Sequence, residues 1–410
     1  MKLQSIATAG AALSLMGLVL CDTGKAQSVQ LSRVTDINPG SSSSGPAFLS
    51  VFDNALYFRA FNEAYGEELW KYDGTTASLV ADINPGSSSS GPVYLTVFNN
   101  ALYFSAQDKN EVNGTELWKY DGTTATKVAD ILPGPGSSTP NYLTVFDNAL
   151  YFSADDGVHG RRLWKYDGTT ASLAADIIPY PGRDEQRSFT IFDNALYFSS
   201  ASTNNNVGDI DLWKYDGIAS SLVADIYPGG GQSFPSDLTV FDNALYFSAD
   251  DGVHGRELWK YDGTTARLVA DINPGSADSF ARSFTVFDNA LYFSANDGVN
   301  GYNLWQYDGT TARLAPNIIP GSTGFFQIRL TTFDNTLYFY GADSVHGDEL
   351  WQYDGITASL VADINPGTGG SNPGDFTIFN NALYFSANDG VNGTEIWNVA
   401  PDEPTSCSSL

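Results

Sequence analysis

The chain is poor in cysteine, in basic residues and in histidine. It has 410 residues, and its only two cysteines are Cys21 and Cys407. That excludes a disulfide framework, because one of the two falls in a leader. Lys and Arg together number 20 against 47 Asp and Glu, a net charge of −27. Without residues 1–26, which hold Lys2, Lys25 and Asp22, the charge is −28. A surface so acidic repels nucleic acid and anionic lipid. The three histidines, His159, His254 and His346, lie far apart in sequence. No segment after the leader carries a helical hydrophobic period, which excludes a helical repeat array.

A long apolar run is also missing, except at the start. There Lys2 is followed by an apolar stretch from Ile6 to Leu20 and by the small residues Gly24 and Ala26. The run is short for a membrane span and has the form of a secretory signal, with cleavage expected after Ala26. Cys21 offers a rival reading as a lipoprotein anchor, but the bulky Leu20 before it speaks against that processing. The C-terminal "CSSL" matches a prenylation box in letters only, since prenylation is cytosolic and the leader exports the chain. A secreted or cell-surface location, extracellular or periplasmic, is expected, with no transmembrane segment.

What the chain has in abundance is repetition. Its eight tryptophans, Trp70, Trp118, Trp164, Trp213, Trp259, Trp305, Trp351 and Trp397, are spaced by 48, 46, 49, 46, 46, 46 and 46 residues. Residues 283–318 give the unit. "SFTVF" and "ALYFSA" flank "DN", a two-residue hairpin turn. "LWQY" and "ARLAPNI" flank "DGTT", a second turn in which Asp-Gly tolerates positive φ. Four short strands repeated every 46 residues or so are the signature of a propeller blade. The fourth-strand motif first occurs at residues 31–40, before any complete unit, while the last unit stops at "EIWNVA" (395–400). The expected fold is all-β: an eight-bladed propeller of four-stranded antiparallel blades over residues 27–400. An N-terminal strand completes the C-terminal blade as a one-plus-three clasp, which hides two edges. Residues 401–410 are read as a disordered tail.

Eight equivalent tryptophans suit packing better than binding, since one ligand needs one special position. We therefore read all eight as structural fillers between blades. The segments "ELWKYDGTT" (68–76, 116–124 and 257–265), "DLWKYDGIA" (211–219) and "NLWQYDGTT" (303–311) resemble the bacterial ELWxxDGT-repeat family. The resemblance covers nearly the whole chain after the leader. It implies an exported or surface protein with a repetitive β fold, and implies no catalytic residues.

The three histidines all stand in "VHG", a slot filled elsewhere by Asn113, Asn300 and Asn392. His and Asn share a tolerance for left-handed backbone, so these read as turn residues. No cofactor is expected. Calcium is the metal these loops would take: Asp155, Asp156, Asp250 and Asp251 offer hard oxygen donors, though without the spacing of a known calcium loop. No Ser-His-Asp logic is present. The connections between units vary most in mid-chain, where Arg183, Arg187, Arg282 and Arg329 stand out beside Phe280 and Phe326. Loops that vary on a rigid frame are common recognition sites. The expectation is a non-catalytic, monomeric binding scaffold that takes a glycan or a surface protein on its variable-loop face. The alternatives are a secreted enzyme acting on polysaccharide at the channel mouth, and a purely structural surface or matrix protein.

Overall fold

The structure is a computed structural model. It describes residues 29–108, 114–179, 189–201, 210–229, 231–315 and 329–401. The expected signal segment, Cys21, Arg183, Arg187, Phe326 and all but the first residue of the expected tail lie outside these residues. All regular structure among the described residues is β, and no helix there is long and apolar enough to cross a membrane.

The fold is an eight-bladed β-propeller. Each blade is an antiparallel sheet, and in all but the last the main strands pair in sequence order. Blade 1 runs Ala47–Phe52, Ala55–Asn62, Gly66–Tyr72 and Ala77–Ala81, and the other blades repeat it. Blade 4 gains a two-residue extra strand, Ile178–Pro179. The clasp is present: Val29–Arg33 pairs antiparallel with Thr394–Pro401, from Val29 opposite Pro401 to Arg33 opposite Trp397. The N-terminal strand thus supplies the fourth strand of blade 8.

The two expected turns close as read. Phe52 pairs with Ala55 across "DN", and Asp53 and Asn54 both have positive φ (43° and 57°). That conformation matches the twist of the strands it joins. In "DGTT", the Asp73 carboxylate accepts the Thr75 and Thr76 amides at 2.8 and 2.9 Å, and Gly74 takes φ 99°. The Thr75 hydroxyl, which also donates to this carboxylate, and the two amides hold it well below the usual range.

Apolar surface is buried between blades. Eight clusters each join two neighbours, and the last joins blade 8 to blade 1 through Phe379, Tyr384, Phe58 and Trp70. Trp70, Trp118, Trp259 and Trp351 are buried and the other four half-buried. Each sits in or against one of these clusters, as at Trp259 against Phe192 and Tyr197 of the preceding blade.

A buried carboxylate holds each link between blades that has one. Glu68, Glu116, Glu257, Glu349 and Glu395 are fully buried, although they read in sequence as polar strand residues. Glu68 accepts hydrogen bonds from the amides of Ile83, Asn84 and Ser90 and from the Ser90 hydroxyl, at 3.0, 3.3, 3.0 and 2.6 Å. The link from blade 1 to blade 2 is therefore folded onto the blade that it leaves, and it delivers the next first strand at a fixed height. Asp211 does the same for blade 4 through Ile226 and Ser233. Burial pushes Glu68 and Glu257 up to about 7, against the pull of their hydrogen bonds. The glycine two residues before most of these acids is required too: at Gly255 (φ 71°) a Cβ would lie 2.8 Å from the Ala277 backbone.

Candidate site at the mouth of the axial channel

First strands of most neighbouring blades touch one another, so they line the axis. Each begins on the face that carries the links and the "VHG" loops, and ends at the "DN" turn on the other face. Threonine hydroxyls stitch some neighbours together: Thr96 to the Leu143 carbonyl, Thr190 to Leu238, Thr285 to Leu330 and Thr377 to Leu49, at 3.0–3.2 Å. One residue further on, Val51, Val97, Ile191, Val240, Val286 and Ile378 are 39–50 % exposed, an apolar ring toward the "DN" end of the channel.

The opposite end differs. Six of the eight first strands bulge at their second residue, where one extra residue breaks the register with the second strand. The bulged residues are Phe48, Tyr94, Tyr142, Asp237, Ser283 and Asp375, all with φ between 56° and 65°. Such a φ is a strained conformation for a residue other than glycine, above all for a bulky aromatic. Strain repeated around one opening is a pointer to function, and bulges re-aim side chains beside such sites. In a chain that repeats almost every other position, this column reads Phe48, Tyr94, Tyr142, Ser188, Asp237, Ser283, Arg329, Asp375. Ser188 lies outside the described residues, and blade 7 pairs regularly from Leu330 on.

The side chains form two joined depressions. The first, a cavity of about 250 Å³, is lined by Phe48, Tyr94, Tyr142, Phe189 and Asp375 with Thr96, Thr144 and Thr377. Its rings form an arc: Phe48–Tyr94 centroids are 5.5 Å apart, Tyr94–Tyr142 5.1 Å and Tyr142–Phe189 6.4 Å. The second, about 200 Å³, is lined by Arg329, Tyr340, Asn372, Asp375 and Ser386. Asp375 belongs to both, and Arg329 pairs with it at 3.4 Å. The Tyr340 hydroxyl lies 3.4 Å from Asn372 Oδ1, and burial beside Asp348 raises its pKa.

A second column breaks the repeat at the same level. The residue after "ALYF" is Ser in six blades, Arg59 in blade 1 and Tyr340 in blade 7. Arg59 lies over the Phe48 ring at 5.3 Å. Departures from eightfold symmetry thus gather on blades 7, 8 and 1. Reading the units one after another hides this, whereas comparing equivalent positions across the eight units exposes it.

The residues singled out from sequence fall as follows. Arg329 is in the mouth. Arg282 begins the blade 6 strand with its guanidinium 5.0 Å from the Tyr302 ring. Phe280 is half-buried with φ 49°. The loop acids are engaged: Asp156 Oδ1 accepts the Val158 and His159 amides, and Oδ2 pairs with the His159 ring at 2.7 Å. These bonds bring Asp156 down to about 2. Asp251 makes the same set with His254, and Asn300 and Asn392 replace the imidazole at the same 2.7 Å. Asp155 and Asp250 each accept a glycine amide, at 2.8 and 2.7 Å. No group of three or more His, Cys, Asp or Glu able to hold a metal occurs among the described residues.

No known family and no curated protein matches the chain in sequence. Solved structures do match in fold. A prolyl endopeptidase is 10% identical with a TM-score of 0.51, over 86% of this chain and 55% of that one. A puromycin-hydrolyzing peptidase of Mycobacterium tuberculosis is 10% identical with a TM-score of 0.47, over 88% and 61%. An oligogalacturonate lyase in complex with manganese is 14% identical with a TM-score of 0.48, over 92% and 99%. The chain spans a little over half the length of the two peptidases. At these identities the likeness is one of fold, and the propellers that share it include those of peptidases and a lyase. That corrects the expectation of a non-catalytic binding scaffold, which rested on variable loops and the lack of a catalytic motif: the fold is one shared with a prolyl endopeptidase.

Proposed function

We propose that the chain is an exported enzyme, or the propeller of one, that admits its substrate at the link-side mouth of the axial channel. The observation that carries this reading is the strained, chemically variable second position of the first strands. A backbone that holds Phe48, Tyr94 and Tyr142 at positive φ gives up stability to aim those side chains at the opening. A merely structural ring has no need for a position that changes from aromatic ring to carboxylate to guanidinium around the axis. Export is supported by the pattern of Lys2, the Ile6–Leu20 run and Ala26.

The test is turnover on a panel of oligosaccharides and peptides. Asp375→Asn, and separately Phe48→Ala, should lower kcat/KM at least tenfold in protein that still unfolds cooperatively. Turnover untouched by both variants, or none on the whole panel, would overturn the reading.

A further inference from the structure

Resting on the axial-mouth reading, we infer that the substrate held there is a neutral carbohydrate chain, with its sugar faces on the Phe48–Tyr94–Tyr142 arc and its hydroxyls on the Arg329–Tyr340–Asn372–Asp375 pocket. Three features lead to this. A pyranose ring has an apolar C–H face, and aromatic rings offer a surface for it; Phe48 and Tyr94 are half-buried, the more deeply buried Tyr142 continues the arc, and all three line the larger cavity. The edge of a sugar ring carries hydroxyls that both donate and accept. The smaller cavity answers with a guanidinium, a phenol, an amide, a carboxylate and a hydroxyl, the last from Ser386. Arg and carboxylate groups make the stronger, charge-assisted hydrogen bonds to such partners. Because Asp375 lines both cavities, the two surfaces are continuous.

Charge decides against the other polymers. The chain as a whole is at −27. The mouth nevertheless holds Arg329, which is already paired with Asp375, and Arg59 lies over the Phe48 ring that lines it. A cation gains nothing from an opening where the acidic field is cancelled. A polyanion must cross the field of the surrounding surface. A neutral ligand rich in donors and acceptors meets neither obstacle.

Position in the ring supports one bound chain, not eight. Arg59 and Tyr340 are the two exceptions in a column of serines. They flank blade 8, whose Asp375 joins the cavities. One end of the chain is thus fixed by the polar pocket, and the rest follows the aromatic arc toward Phe189 in blade 4.

The experiment is calorimetric titration of the full chain with neutral hexasaccharides (β-1,4-linked glucose, xylose and mannose), hexagalacturonate and a neutral hexapeptide. At least one neutral hexasaccharide should bind. Its affinity should fall tenfold or more in Tyr94→Ala and in Tyr142→Ala, and several-fold in Tyr340→Phe, which removes one hydroxyl and preserves packing. It should change little between 50 mM and 500 mM NaCl. Binding of hexagalacturonate or of the hexapeptide alone, no binding by any neutral hexasaccharide, or binding indifferent to all three variants would overturn the sugar assignment. A peptide turned over in a mouth-dependent way would sink the sugar and leave the axial-mouth enzyme standing. Sugar binding that persists when the mouth variants leave turnover unchanged would do the reverse.

Discussion

Replacing Glu68 by Gln should remove one titration from the stability of the ring. The side chain is fully buried and gathers four donors from the link that follows its blade. Burial raises its pKa from 4.5 to about 7. The folded chain then holds this proton more tightly than the unfolded chain does. Its contribution is fully present below pH 4.5 and is lost as the pH rises toward 7. At about 1.4 kcal/mol for each tenfold change, the loss between pH 5 and pH 8 comes to about 2–3 kcal/mol. Glu68→Gln cannot titrate, so it lacks this slope. All other ionisable groups are common to both proteins and cancel. The assay is urea unfolding of wild type and variant at pH 5 and pH 8. The gap in unfolding free energy should move by about 2–3 kcal/mol in favour of the variant on going to pH 8. Parallel pH dependence in the two proteins would refute the argument, because it would mean that the buried carboxyl titrates as a free one does.

Removing the first strand by deleting residues 27–37 should expose an edge and an apolar flank of blade 8; a truncated protein that stays monomeric with an unchanged melt would contradict the clasp. Trp259→Ala should cost about 3–5 kcal/mol, as large-to-small changes in a core do, and a normal melt would show that the residue is not a filler. EDTA should leave the melting temperature unchanged, because the loop acids at Asp156 and Asp251 are saturated by their own amides and histidines. A drop of several degrees, reversed by calcium, would assign those loops to an ion.

Much of the fold was readable because local chemistry dictates it. "DN" and "DGTT" tolerate the positive φ that tight hairpins need, and alternating apolar residues give the strands between them. The orphan motif at residues 31–40 announced the clasp. Glu68 was not readable, because a glutamate beside Leu and Trp in a strand reads as a solvent-facing residue. Only the fold of the next link onto the blade reveals a buried anchor. The mouth was half readable. The run from Phe48 through Tyr94 and Tyr142 to Asp375 is visible once equivalent positions are compared. The strained φ that aims those side chains is not, since nothing in the letters of "AFLSVF" marks its second residue as left-handed. Arg282 and Arg329 drew notice as scarce cations, but the reason for their placement lies in the axis, not in the outer loops.

On the proposed reading, the chain works at one sector of its axial mouth. The most direct measurement is a crystal structure of the protein with a bound neutral hexasaccharide. Sugar density is expected against Tyr94 and Tyr142, with hydroxyls within hydrogen-bond distance of Asp375 and Arg329. Density on the "DN" and "DGTT" face, or spread equally over eight equivalent positions, would contradict it.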